Sequence, residues 1–166
     1  MTASTAKRVV LYRFGRQPLE GIVHANAFSG PEGIDFLTLA GILQQVPYAE
    51  VKALCFVTEP AKADLFEEHT LFERRPKVPG LWTRFTLRDG DRLDGILSHN
   101  LLEWPGTGYL ITPPRAGTAR QRVFLPRASV TATELMGVVG VSGNARAAKA
   151  KEERGKRAGQ LSMFES

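Results

Sequence analysis

Thr83-Arg84-Phe85-Thr86-Leu87-Arg88-Asp89-Gly90, followed two residues later by Leu93-Asp94-Gly95-Ile96-Leu97-Ser98-His99-Asn100, is the stretch whose reading decides the fold. Phe85 and Leu87 are two residues apart, and in an extended chain that spacing puts both side chains on one face. Asp89-Gly90 supplies a hairpin turn, where glycine adopts positive φ without steric cost. Gly95 then interrupts an otherwise apolar second strand, as glycine does where a strand bends or another group approaches its backbone closely.

The same order of features occurs earlier in the chain. Arg8-Val9-Val10-Leu11-Tyr12-Arg13-Phe14-Gly15 leads into Leu19-Glu20-Gly21-Ile22-Val23-His24-Ala25-Asn26. Both copies read as an alternating apolar run, a glycine turn, then Leu-acid-Gly-Ile-aliphatic. Further on, Gly33-Ile34-Asp35-Phe36-Leu37 parallels Gly108-Tyr109-Leu110-Ile111-Thr112. Val46-Pro47-Tyr48 with Val51 parallels Phe124-Leu125-Pro126 with Val130. A shared order over so long a stretch points to internal duplication. Each copy holds about five short strands at all-β turn spacing. Five short strands with one buried face coil most simply into a small SH3-like or Sm-like barrel, and closure removes most exposed edges. The expected fold is therefore all-β, with tandem small barrels over residues 8–58 and 81–141.

Residues 59–80 connect the copies. Leu65, Phe66, His69 and Phe72 have roughly helical spacing between Pro60 and Pro76. A short connecting helix or ordered connector is expected, with its apolar residues packed on one barrel. Residues 142–166 differ in character. Ser142-Gly143-Asn144 resembles a helix N-cap region, and the Ala-rich charged run after it favours helix. That run has no apolar stripe to hold it on a core, so a solvated helical or disordered tail is expected.

The composition is globular, with 43% hydrophobic and 23% charged residues among 166. The net charge of +5 is unevenly distributed. Residues 144–158 carry six bases against two acids, a local excess of four, which leaves an excess of one for everything else. The basic balance thus belongs to the tail and does not mark the body as a nucleic-acid binder. A single cysteine, Cys55, excludes an internal disulfide. It lies in the run Ala53-Leu54-Cys55-Phe56-Val57 and reads as a small buried hydrophobe. There is no span of about 18 consecutive apolar residues and no signal-like start, so a cytoplasmic protein without membrane association is expected.

The sequence carries few patterns that point to chemistry. His24, His69 and His99 show no metal-ligand spacing, Cys-x-x-Cys is absent, and no metal or cofactor is expected. His24 and His99 follow the second strand of each copy, which is repeat symmetry. Ser98 and His99 are adjacent on a strand and face opposite ways, so they cannot act as nucleophile and base. Ser29-Gly30-Pro31-Glu32-Gly33 and Trp104-Pro105-Gly106-Thr107-Gly108 read as matching turns and lack the Lys-Ser/Thr of a phosphate loop. Arg84 and Arg88 have the paired-arginine spacing of cyclic-dinucleotide-binding PilZ barrels, but the partner Asn/Asp-x-Ser-x-x-Gly motif is missing. They are expected to share the solvated face of their strand. The chain is expected not to be an enzyme.

Two binding readings remain. Arg115, Arg120, Arg122 and Arg127 surround a loop that could meet nucleic-acid phosphates, together with Lys149, Lys151, Lys156 and Arg157 of the tail. No aromatic residue is interleaved there for base stacking before Phe124, which is expected in the core. The second reading rests on the final residues. After a tail that buries nothing, Leu161, Met163 and Phe164 occur together; apart from a chance grouping at a terminus, exposed apolar groups there gain nothing unless they dock, either on the chain's own barrels or on another protein.

Gln160-Leu161-Ser162-Met163-Phe164 resembles the bacterial sliding-clamp-binding motif, whose usual form is Gln-Leu-Ser/Asp-Leu-Phe. The resemblance implies that Gln160 hydrogen-bonds at a pocket rim. Leu161, Met163 and Phe164 would fill adjacent apolar subsites, with Ser162 as a tolerant spacer. The DNA polymerase sliding clamp is the implied partner. DNA or RNA binding through the basic loops and tail is the alternative.

The body resembles an uncharacterised bacterial domain family of Sm-like appearance over about residues 8–135. The resemblance is carried by Val51-Lys52-Ala53-Leu54-Cys55-Phe56-Val57, by Asp89-Gly90 with Leu93-Asp94-Gly95, and by residues 108–130 with Pro113-Pro114 and Arg122-Val123-Phe124. It implies a fold without an activity. The Asp-x-x-x-Asn and Arg-Gly loops of Sm-type RNA-binding proteins are absent.

Overall fold

The computed structural model describes residues 5–60, 65–67, 69–117 and 119–140. These form strands β1 (Ala6–Arg13), β2 (Arg16–His24), β3 (Gly33–Thr38), β4 (Leu43–Pro47), β5 (Val51–Val57), β6 (Gly80–Leu87), β7 (Arg92–Leu97), β8 (Gly108–Ile111), β9 (Arg120–Pro126) and β10 (Val130–Val139). There is no α-helix among them, and 3-10 turns lie at Leu101–Glu103 and Arg127–Ser129. The all-β expectation holds.

Two antiparallel sheets result, ordered β4-β3-β2-β1-β5-β9-β8 and β10-β6-β7. The Ile96–Thr112 bridge links β7 to the end of β8, with backbone hydrogen bonds of 2.9 and 3.0 Å. The pairings of the first five strands recur in the second five. Leu11 faces Leu19 as Phe85 faces Leu93. Ile22 faces Leu37 as Ile96 faces Thr112. Gly33 faces Pro47 as Gly108 faces Pro126. Arg13 faces Val51 as Leu87 faces Val130, and one residue along each ladder has the same irregularity. The register aligns Pro47 with Pro126, one position away from the sequence-based parallel.

Neither sheet closes on itself among the described residues, in contrast to the closed barrels expected from sequence. The reason lies at β5. Closing the first half would pair β5 with β4, but the second edge of β5 is taken by β9, with Leu54 opposite Phe124 and Cys55 opposite Val123. β4 and β10 therefore lie at sheet edges.

This junction organises the core. Every residue of β5 is buried. Val9, Leu11, Leu54 and Phe56 point into a core shared with Phe28, Phe36 and Phe124. Val10, Tyr12, Ala53, Cys55 and Val57 point into a second core with Phe85, Leu93, Ile111 and Leu125. β1, β5 and β9 thus carry apolar residues on both faces, as strands covered on both sides must. Phe28 meets Phe56 and Phe124 edge-on at centroid distances of 5.4 and 5.1 Å, a favoured aromatic geometry.

Gly21 and Gly95 do what their strand positions implied. A Cβ at Gly21 would overlap the Phe36 ring, and one at Gly95 would overlap Ile111. Phe36 and Ile111 themselves occupy matching places, opposite Gln44 and Val123. The turn glycines Gly15 and Gly90 have φ of 66° and 90°.

The connector packs on the second core. Leu65 is fully buried, and its amide donates to the Tyr12 hydroxyl at 3.1 Å. Phe66 stands edge-on to Tyr12 at 5.2 Å. The helix-like spacing is not realised as helix in the described part. His69 adopts φ of 58°, outside the helical region, and Thr70 offers its carbonyl to the Asp94 amide at 2.8 Å.

Candidate functional site

Polar or ligand-accessible groups gather at several places in the described residues. The first is the interior of the β6–β7 hairpin. Asp94 has no solvent exposure. Its carboxylate accepts from Arg84 Nε at 2.7 Å and Nη2 at 3.1 Å, from Trp82 Nε1 at 3.2 Å and from the Phe72 amide at 3.0 Å. This hydrogen bonding raises the pKa of Arg84, so the guanidinium is held charged. Arg84 is therefore a structural ion-pair partner, which corrects its expected place on a solvated face. Arg88 is exposed. It donates to the Ala49 carbonyl at 2.5 Å and stacks 4.2 Å from the Phe14 ring centre.

The second place joins β5 to the β6–β7 turn. Lys52 is buried, pairs with Asp89 at 2.6 Å and with Asp91, and lies 4.0 Å from the Phe66 ring centre. Partial burial pushes the Asp89 carboxyl up. The Lys52 ammonium and the Asp91 amide outweigh that, and the net pKa is below the ordinary value. The buried ammonium is matched by two partly exposed carboxylates, as burial of a lysine demands. Both polar clusters are satisfied internally and hold the connector and hairpin in place.

The third and fourth places are clefts at matching positions of the two halves. One of about 410 Å3 is lined by Ala6, Ile22, Val23, His24, Leu37 and Leu43, among others. The other, of about 330 Å3, is lined by Pro79, Ile96, Leu97, Ser98, Thr112 and Arg122, with His99 and Asn100. The strand registers align Ile22 with Ile96, Leu37 with Thr112, and Leu43 with Arg122. His24 aligns with Ser98, so His99 sits one residue beyond its sequence-based counterpart. The first cleft is apolar and the second polar. Ser98 Oγ donates to Glu103 at 2.6 Å, and with Asn100 this holds the Glu103 carboxyl below its ordinary pKa. Ser98 is engaged with a carboxylate, not with His99.

The fifth place surrounds the β8–β9 loop. A cleft of about 240 Å3 is lined by His69, Leu71, Phe72, Arg74, Pro114 and Arg115, with Glu73. The four arginines read as one cluster differ in exposure. Arg115, Arg122 and Arg127 are exposed. Arg120 is 6% exposed and donates inward to the carbonyls of His69 at 3.3 Å and Pro114 at 3.4 Å. Arg120 thus ties the loop to the connector.

Cys55 is fully buried, and burial pushes its thiol up to about 12 against the pull of Arg120. Its role as an inert core residue was legible in the sequence, as was the burial of Phe124. No group of three or more His, Cys, Asp or Glu is placed to hold a metal among the described residues. No helix of the described residues is long and apolar enough to cross a membrane. Gln160, Leu161, Ser162, Met163 and Phe164, and Lys149, Lys151, Lys156 and Arg157, lie outside the described residues.

Sequence reasoning missed the Asp94 and Lys52 clusters. Their signals were present: an aspartate inside Leu93-Asp94-Gly95-Ile96-Leu97, and a lysine inside an otherwise apolar strand. A buried charge in such a run requires a partner, and hairpin register places Arg84 opposite Asp94.

No curated protein and no solved structure matches this chain. The model of a protein family of unknown function, DUF6982, matches residues 5–137, from the first strand into the last. The chain belongs to this family of unknown function, DUF6982.

Proposed function

We propose that this is a non-catalytic interaction protein: a duplicated β unit forms a rigid body, and the tail carries a linear motif read by the DNA polymerase sliding clamp. The observation that carries this reading is Gln160-Leu161-Ser162-Met163-Phe164, three large apolar residues behind a basic run with no apolar stripe. The family match ends at residue 137, so the motif lies beyond the shared domain. The recurring strand pairings support the duplication. Two charge clusters consumed by internal pairing, and a thiol kept neutral, suit a body that supports binding and not chemistry.

In this reading Leu161, Met163 and Phe164 enter an apolar pocket while Gln160 hydrogen-bonds at its rim, so a few anchors supply most of the affinity. The test is binding of a labelled Gly159–Ser166 peptide to purified bacterial sliding clamp, followed by fluorescence anisotropy. Leu161→Ala with Phe164→Ala is expected to weaken binding at least ~100-fold, since two anchors are lost. Equal binding by the doubly substituted peptide overturns the reading.

Nucleic-acid binding is the second reading, favoured by the exposure of Arg115, Arg122 and Arg127. It expects salt-dependent affinity for DNA or RNA that falls when Arg122 and Arg127 are changed to Ala. Affinity unchanged in that variant removes this surface.

A further inference from the structure

The two halves meet edge to edge, and the join is heterologous. β5, the fifth strand of the first half, pairs with β9, the fourth strand of the second. The same two kinds of edge remain at the ends of the molecule. β4, the fourth strand of the first half, pairs only with β3 among the described residues. β10, the fifth strand of the second half, pairs only with β6.

Such edges present unpaired backbone donors and acceptors, and proteins commonly guard them with charge, proline or a covering segment. β4 reads Leu43-Gln44-Gln45-Val46-Pro47, with no charge and proline only at its last position. β10 carries one charge, Glu134, in ten residues, and the connector's Arg75 donates to its Val138 carbonyl at 2.6 Å, beyond residues 133–135.

The existing junction fixes the register that a second junction would take. Within the chain Leu54 faces Phe124, Cys55 faces Val123 and Phe56 faces Arg122. The strand alignments match Leu54, Cys55 and Phe56 with Thr133, Glu134 and Leu135. They match Phe124, Val123 and Arg122 with Gln45, Gln44 and Leu43. Transferring the junction therefore sets Thr133 opposite Gln45, Glu134 opposite Gln44, and Leu135 opposite Leu43. Leu135 and Leu43 are two of the large apolar side chains the described fold leaves in solvent, at 62% and 72% exposure. The register calculated from backbone pairing alone thus brings two stranded leucines together.

We propose that copies of this chain associate head to tail, with β10 of one pairing antiparallel with β4 of the next and Leu135 packing on Leu43. Because the joined surfaces differ, each copy keeps one edge of each kind. Assembly then continues until it closes as a ring or grows as a filament. The proposal rests on the equivalence of the two halves and not on the clamp motif, so its failure leaves the peptide experiment untouched.

The test uses the full chain with single cysteines at the junction. Cross-strand partners come within disulfide reach, and buried Cys55 does not compete. Leu43→Cys and Leu135→Cys are prepared separately, mixed in equal amounts and oxidised with copper–phenanthroline. The mixture is expected to give a covalent dimer, each variant alone none, and the double variant Leu43→Cys/Leu135→Cys a ladder of higher multimers. A mixture that stays monomeric, or dimers formed equally by either variant alone, overturns the proposal. Sedimentation of the unmodified protein is the second measurement. Multimers that dissociate on dilution are expected, and a monomer throughout the series, as when the chain covers its own edges, contradicts it.

Discussion

Arg84 and Asp94 face each other directly across the β6–β7 hairpin, and the guanidinium grips both oxygens of a carboxylate that has no contact with solvent. Arg84 is itself partly solvated, with 21% of its side chain exposed. Arg84→Met leaves the carboxylate buried with only the Trp82 and Phe72 donors. A loss of about 2–4 kcal/mol is expected, the range for a broken buried pair lowered for the exposed arginine. Arg84→Met/Asp94→Leu is not expected to restore full stability, because the Phe72 amide and Trp82 Nε1 are then orphaned. Denaturant unfolding of the two variants checks both statements.

Gly95→Ala and Gly21→Ala probe the equivalence of the halves. The methyl added at Gly95 meets the Ile111 side chain, and the one added at Gly21 meets both the Phe36 ring and the Leu37 carbonyl oxygen. Overpacking at such a site is expected to cost about 1–3 kcal/mol in both variants. Ile111→Val in the Gly95→Ala background is expected to recover part of it. Thermal unfolding of the three variants measures the effect.

Cys55 provides a titration test. The folded thiol, raised to about 12, keeps its proton where an unfolded thiol, with its ordinary value of 9.0, has lost it. The native state therefore binds more protons, and stability falls with rising pH between these values at up to about 1.4 kcal/mol per pH unit. Cys55→Ala is expected to flatten that slope in denaturation curves. A thiol reagent at mildly alkaline pH is expected to label the native protein only as fast as it opens.

Asp89 behaves oppositely. Its folded pKa is below the ordinary carboxylate value, so its stabilising contribution is complete above that value and is lost as pH falls through the folded pKa. Lys52→Met removes the partner and is expected to shift the acid-unfolding midpoint upward. Acid titration followed by circular dichroism reads the shift.

Much of the fold was legible because strand alternation and glycine placement are local. The Leu-acid-Gly-Ile repeat located both hairpins, and the Gly33 and Gly108 parallels fell in register. The β5–β9 pairing was not legible, since it depends on which of two distant edges captures β5. The connector was expected as a short helix or an ordered segment packed on one barrel; in its described residues Leu65 and Phe66 dock on Tyr12 and the second core without forming helix, and Phe72 meets Trp82. Arg84 was read as a surface cation because alternation assigns a face without revealing a buried acceptor beneath it, and Arg120 because it stands among other arginines around a loop. The clamp motif rests on sequence alone.

The two-core account depends on β5 lying between β1 and β9. Cross-strand backbone nuclear Overhauser contacts in the labelled full chain test this most directly. Contacts pairing Cys55 with Val123 on one side and with Val10 on the other are expected. Contacts from β5 to Gln44 or Gln45 in place of Val123, which would close the first half as a separate barrel, would contradict it.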